Sequence, residues 1–214
     1  MASETEIWDA VLDAAWQSFL GGDGGIGAAV TNAAGAIIAV GGNRTGSGAP
    51  DELAGSPIAH AETVALQQVA GTDAAKGTMW TSLQPCLMCF GAAQWAEVST
   101  CRFLVPDPRW PISRASDRDE EAAIAEPDYE QAEPAGERAV FAALLAFSVF
   151  AEVLDPRGYA FYERRFPRLA ARAKDLHETG ALRREAGRGA DWRAVMAAFA
   201  PLGLASEIDD VPSG

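Results

Sequence analysis

Positive charge is scarce where this sequence begins. Through residue 110 the only basic side chains are Arg44, Lys76, Arg102 and Arg109, against eleven acids. The whole chain of 214 residues carries a formal charge of -13. Affinity for a phosphate backbone is built mostly from Lys and Arg, so nucleic acid is not the expected partner. Cysteine is sparse too. There are three, two of them in a CxxC, which is no disulfide framework of a secreted domain. Long apolar runs are missing. The acidic start MASETEIWDA lacks the apolar stretch of a signal peptide. The longest apolar-rich segment, Ala139 to Leu154, is interrupted by Ser148 and Glu152 and is too short to cross a bilayer. The expectation is a cytoplasmic protein with no membrane partner.

Hydrophobic residues make up 49% of the chain, enough for a globular core. Ile7, Trp8, Val11, Leu12, Ala15, Trp16 and Phe19 fall on one helical face, so Ser3 to Leu20 reads as a helix. Ser3 with Glu6 forms a capping pair, and Gly21-Gly22 ends the run. Ile26 to Thr31 and Ala36 to Val40 read as a hairpin. Asn43 lies just past its second strand, as a turn residue or a binding group. Pro57 to Ala70 reads as a helix capped by Ser56, Thr78 to Leu83 as a strand, Pro85 to Ala96 as a helix, and Cys101 to Pro106 as a strand. Strand-helix-strand order implies parallel pairing and a three-layer α/β sandwich.

The character changes after Trp110. Asp117 to Glu137 holds nine acids and one Arg and reads as an acidic linker or lid. Glu137 to Leu154, Gly158 to Gly180 and Asp191 to Leu204 read as helices, and Ser206 to Gly214 as a frayed end. The first of these helices is apolar over much of its surface and must bury it against the core or in a homodimer. The expected division is a core over 1–112, a linker or lid over 113–136 and a helical extension over 137–214.

Two short pieces carry chemistry: His60-Ala61-Glu62 and Pro85-Cys86-Leu87-Met88-Cys89. Each opens a predicted helix, with a predicted strand between. Cys86 and Cys89, at i and i+3, share a helical face and can grip one ion with His60. Such a three-ligand set leaves one position for a water whose pKa a zinc ion lowers. Glu62 can reach that position without being a ligand and can carry a proton to a departing amine. Cys101 reads as a small core residue. A lone CxxC also suits a redox pair or a structural zinc knuckle. The first gives His60 and Glu62 no role, and the second lacks a convincing fourth ligand.

The combination H-x-E with P-C-x-x-C is the signature of zinc deaminases, and about residues 5 to 110 resemble the cytidine deaminase-like superfamily. The HAE form, Gly42-Asn43-Arg44 and Gly91-Ala92-Ala93-Gln94-Trp95-Ala96 look like its guanine deaminase and tRNA adenosine deaminase branch. Gln84 departs from the Glu usual before Pro-Cys there. The resemblance implies an α/β/α sandwich with a mixed sheet, zinc on His60, Cys86 and Cys89, and Glu62 as proton shuttle. It also implies a small heterocyclic substrate, guanine-like first. The expected substrate contacts are Asn43, Ala61, Trp95 and Asp107, with Trp95 a pocket wall or a core aromatic. A tRNA adenosine deaminase and a non-catalytic zinc-stabilised binding domain are the alternatives, and a homodimer is the expected assembly.

Overall fold

A computed structural model describes residues 1–46, 53–71, 73–110, 127–132 and 136–209. Helix α1 spans Glu4–Leu20 and starts on the predicted capping pair. Ser3 Oγ accepts from the Glu6 N–H, and the Glu6 carboxylate accepts from the Ser3 N–H at 2.8 Å. Strands β1 (Gly27–Thr31) and β2 (Ile37–Gly42) form the hairpin. Its turn is held by Asn32 Oδ1, which accepts from the N–H groups of Ala34 and Ala36 at 3.0 Å each. Then come α2 (Ala61–Leu66), β3 (Thr78–Leu83), α3 (Leu87–Trp95), β4 (Thr100–Val105) and β5 (Asp128–Gln131).

The sheet order is β2-β1-β3-β4-β5. β1 is antiparallel to β2 and β3, while β3, β4 and β5 run parallel. The predicted mixed sheet is therefore present, with helices on both faces. α1 and the long helix α4 (Glu137–Val153) cover one face, and α2 and α3 the other. The layers approach closely because glycine stands where they meet. A Cβ on Gly27 would lie 2.0 Å from the Val11 carbonyl oxygen of α1.

β5 lies inside the stretch expected as a linker or lid. Residues 113–126 and 133–135 of that stretch fall outside the described residues. β5 is a short edge strand whose exposed Asp128 and Glu130 alternate with half-buried Tyr129 and Gln131. Tyr129 packs its ring against Phe90 and Phe103, 5.0 and 5.4 Å between centroids. Acidic residues on an edge strand discourage pairing with other chains, and here they made the segment read as solvated.

The second half is helical: α5 (Pro156–Arg165), α6 (Pro167–Glu178), α7 (Ala181–Gly187), α8 (Trp192–Phe199) and α9 (Ser206–Asp209) follow α4. The single helix expected over Gly158 to Gly180 is two. Pro167 has no N–H to continue the ladder, and Phe166 sits outside helical angles at φ -133°, ψ 64°. The helix expected over Asp191 to Leu204 stops at Phe199, two residues before Pro201. The segment expected to fray is docked as far as Asp209. Ile208 is buried, and the Glu207 carboxylate accepts from the N–H groups of Arg168 and Leu169 at the start of α6. Residues 210–214 lie outside the described residues.

Every residue of α4 from Ala139 to Phe150 is buried. It lies on β3 and β4 with α1, α5, α6 and α8 around it, so its apolar surface is spent inside its own chain. One continuous hydrophobic cluster joins α1, the sheet, α4, α5, α6 and α8. Among the described residues no helix is long and apolar enough to cross a membrane.

Candidate active site

His60 and Cys86 are each the residue just before a helix, not the second or fourth residue within one. The reason lies in partners from elsewhere in the chain. The carbonyl of Ala59 accepts from the Arg44 N–H at 2.9 Å, so it is not free to begin α2. The carbonyl of Pro85 accepts from the Tyr129 hydroxyl at 2.7 Å, which likewise delays α3. Both residues have extended backbone, and neither side chain caps its own helix. Imidazole and thiol therefore turn toward each other.

His60 Nδ1 stands 3.6 Å from Cys86 Sγ and 3.5 Å from Cys89 Sγ, and the two sulfurs are 3.5 Å apart. Zinc bonds of about 2.3 Å to sulfur and about 2.0 Å to nitrogen, set tetrahedrally, place such sulfurs about 3.8 Å apart and sulfur and nitrogen about 3.5 Å apart. The donor set fits zinc in type, number and spacing. These three residues are the group able to hold a metal among the described residues. The two thiols share a hydrogen bond that lowers Cys86 to about 4 and raises Cys89, so the pair readily carries thiolate character. The same Cys86 thiol holds His60 above its ordinary value against the opposing effect of burial.

Glu62 is buried, at 4% exposure, on the first turn of α2. Burial pushes its carboxyl up to about 7. It opens onto a cavity of about 460 Å³ that His60, Cys86, Asn43, Asp107 and Arg109 also line. Ile26, Leu83 and Trp110 from the first half, and Val149, Phe150 and Leu154 from the second, give the cavity apolar walls. That size and mixture suit a small, largely apolar ligand oriented by a few polar groups.

Asn43 holds the turn and also lines the cavity. Its Oδ1 accepts from the N–H groups of Gly24 and Thr45 and from the Thr45 hydroxyl at 3.3, 3.1 and 2.9 Å. Those partners are donors, so the amide oxygen is fixed on the turn and the NH2 end is the donor end. Asp107 lines the cavity but spends its carboxylate on Arg109 and Tyr162. Ala61 is fully buried against Gly41 and does not line the cavity. Trp95 stands at the end of α3, 79% exposed, neither a wall of this cavity nor a core aromatic. Helix α3 turns its Leu87, Met88 and Trp95 outward, while Cys89 and Ala93 face in. Arg109, Phe150 and Leu154 belong to the site without any motif to mark them. Gln84 belongs too, and its departure from the usual Glu is the one signal that singled it out.

Residues 1–105 match the family model described as the cytidine and deoxycytidylate deaminase zinc-binding region. Among solved structures, the chain is similar to one from a study of A-to-I editing by tRNA:A34 deaminases at the wobble position of transfer RNA. The identity is 23% over 61% of this chain and 100% of that one, with a TM-score of 0.49. Guanine deaminase from Bacillus subtilis is 25% identical over 49% of this chain and 66% of its own, with a TM-score of 0.42. RibD from Acinetobacter baumannii is 24% identical over 48% of this chain and 28% of its own, with a TM-score of 0.38. Among curated proteins none matches the chain.

Proposed function

We propose, from the match of residues 1–105 to the cytidine and deoxycytidylate deaminase zinc-binding region, that the protein hydrolyses an exocyclic amine from a small aminated heterocycle, guanine-like first. Ring C–NH2 and water become ring C=O and ammonia. The observation that carries this reading is Glu62: a buried carboxyl on the same cavity as His60 and Cys86, which a purely structural zinc site has no use for.

His60, Cys86 and Cys89 would hold the zinc, which supplies a water made nucleophilic near neutral pH. Glu62 takes a proton from the attacking water and returns it to the departing amine, and a value near 7 suits both tasks. The Asn43 NH2 group orients the ring from the side. The apolar wall of α4 excludes bulk water and narrows the cavity toward a free base. That wall, with the few basic residues of the first half, favours a small molecule over a polynucleotide.

Cys86, Cys89 and Cys101 are free thiols, as suits a reducing cytoplasm. A homodimer remains part of the proposal. With α4 covered, its surface would be the exposed Leu87, Met88 and Trp95 of α3. Light scattering of the parent and of Trp95→Glu tests it, and a monomeric parent refutes it. The function is tested by ammonia release over purine and pyrimidine bases, nucleosides and structured RNA. Turnover confined to RNA, or to nothing, rejects the reading.

A further inference from the structure

Asp107 is one of the four expected substrate contacts. Its carboxylate is already committed. Oδ1 accepts from the Tyr162 hydroxyl at 3.0 Å and from the Arg109 backbone N–H at 2.9 Å and Nε at 3.3 Å. Oδ2 accepts from Arg109 Nη2 at 3.0 Å. The group presented to the cavity is Arg109, the only cation that lines it among the described residues.

Arg109 is held on three sides. Asp107 takes the Nε–Nη2 edge of the guanidinium. The Phe150 ring lies 4.7 Å from its Cζ and the Tyr162 ring 5.3 Å. Its turn is anchored by Gln84, whose Oε1 accepts from the Asp107 N–H at 2.9 Å and whose Nε2 donates to the Trp110 carbonyl at 3.2 Å. A glutamate at 84 could accept the first bond but could not donate the second. A guanidinium carries five N–H donors in a fixed plane, so among the described residues the Nη1 side remains to serve a ligand. Asp107 neutralises the charge of Arg109, so the pair offers hydrogen-bond donors without a net positive field. Such a pair suits a neutral acceptor better than a phosphate.

We propose that Arg109 is the specificity-determining residue of this cavity: it donates to an exocyclic oxo group, so that the substrates are aminated rings that also carry such an oxo group. This rests on the deaminase reading and narrows it. The C-terminal helices take part through Phe150 and Tyr162, which hold the guanidinium in place.

The test uses the zinc-loaded full chain and two matched pairs: guanine against its analogue lacking the oxo group, and cytosine against its analogue lacking the oxo group. The parent is expected to favour the oxo-bearing member of at least one pair by roughly tenfold or more in kcat/KM. Arg109→Met is expected to bring that ratio close to unity, with Arg109→Lys between the two. The ratio is read within one protein, so general damage to the fold does not move it. Because removing Arg109 leaves Asp107 buried without its partner, the Asp107→Asn/Arg109→Met double variant is measured beside it. Gln84→Glu keeps both charges and is expected to erode the same preference. A parent without the preference, or variants that keep it, overturn the proposal. If the parent releases no ammonia from any member, the deaminase reading is decided separately, on the wider panel of bases, nucleosides and RNA. Calorimetric Kd values for the same pairs then decide on Arg109, and equal binding or none overturns it.

Discussion

Gly41 of β2 lies directly beneath Ala61 of α2, so close that a Cβ on Gly41 would stand 2.6 Å from the Ala61 carbonyl oxygen and equally near the Ala65 nitrogen. That contact seats the first turn of α2, with Glu62 on it and His60 just before it, against the sheet. Gly41→Ala must push α2 outward. The expected cost is about 1–3 kcal/mol in urea unfolding, together with weaker zinc retention in a chelator competition. An unchanged midpoint would mean that the contact does not set the helix position.

Glu62→Gln keeps the volume of the side chain and removes its proton traffic. Ammonia release is expected to fall about a hundredfold to ten-thousandfold, while zinc content by elemental analysis stays at the parent level. Loss of zinc along with activity would instead make Glu62 a structural support of the metal centre.

Cys86→Ser and Cys89→Ser remove one thiolate each from a set of three. Zinc bound after gel filtration is expected to drop sharply in either variant, whereas Cys101→Ala, a change at a buried thiol that is not among the three, should retain it. Chelation of the parent should lower its unfolding midpoint, since a metal held only by the folded chain stabilises it.

Tyr129→Phe deletes the hydrogen bond to the Pro85 carbonyl and nothing else of the ring. A stability loss of about 1 kcal/mol is expected. It should come with a modest loss of zinc affinity, because that bond helps delay the start of α3 to Leu87. A variant with parental zinc affinity would show that Cys86 is placed without β5.

Asp9 ties α1 to the C-terminal helices by accepting from Arg138 and Arg193, each at 2.8 Å. Partial burial works to raise its pKa, and the two arginine hydrogen bonds outweigh that and leave it lowered. A lowered carboxyl contributes stability that is fully present above the unfolded value of about 3.9 and is lost as pH falls through the folded value. The stability gap between the parent and Asp9→Asn should therefore be largest near neutrality and close below about pH 4. Urea melts at both pH values check it, and a gap that persists in acid contradicts it.

The zinc-ligand set of the first half was legible in the sequence because it depends on residue types at short spacing. His60, Glu62, Cys86 and Cys89 each sit at or near a helix start that Pro57 and Pro85 heralded, although both helices begin later than the prolines suggest. Ala59 and Pro85 give their carbonyls to partners from elsewhere in the chain, and such long-range bonds leave no local mark. β5 was missed because its pattern is that of a charged edge strand whose half-buried residues, Tyr129 and Gln131, include no aliphatic side chain. Trp95 misled because a hydrophobic residue on a short helix gives no indication of which way it points. Arg109 stayed hidden because its role depends on Phe150 and Tyr162, 41 and 53 positions further along the chain.

The order of the chain has a consequence for biosynthesis. A ribosome releases His60, Cys86 and Cys89 well before β5, α4 and α5 exist, and domains form as their segments emerge. The ligands of the metal lie within 30 residues of one another, whereas the walls of the cavity wait for Val149, Phe150 and Leu154. A nascent chain of this protein can therefore present its zinc ligands before the cavity beside them is closed, and the sheet face that α1 and α4 share stays only partly covered until α4 arrives.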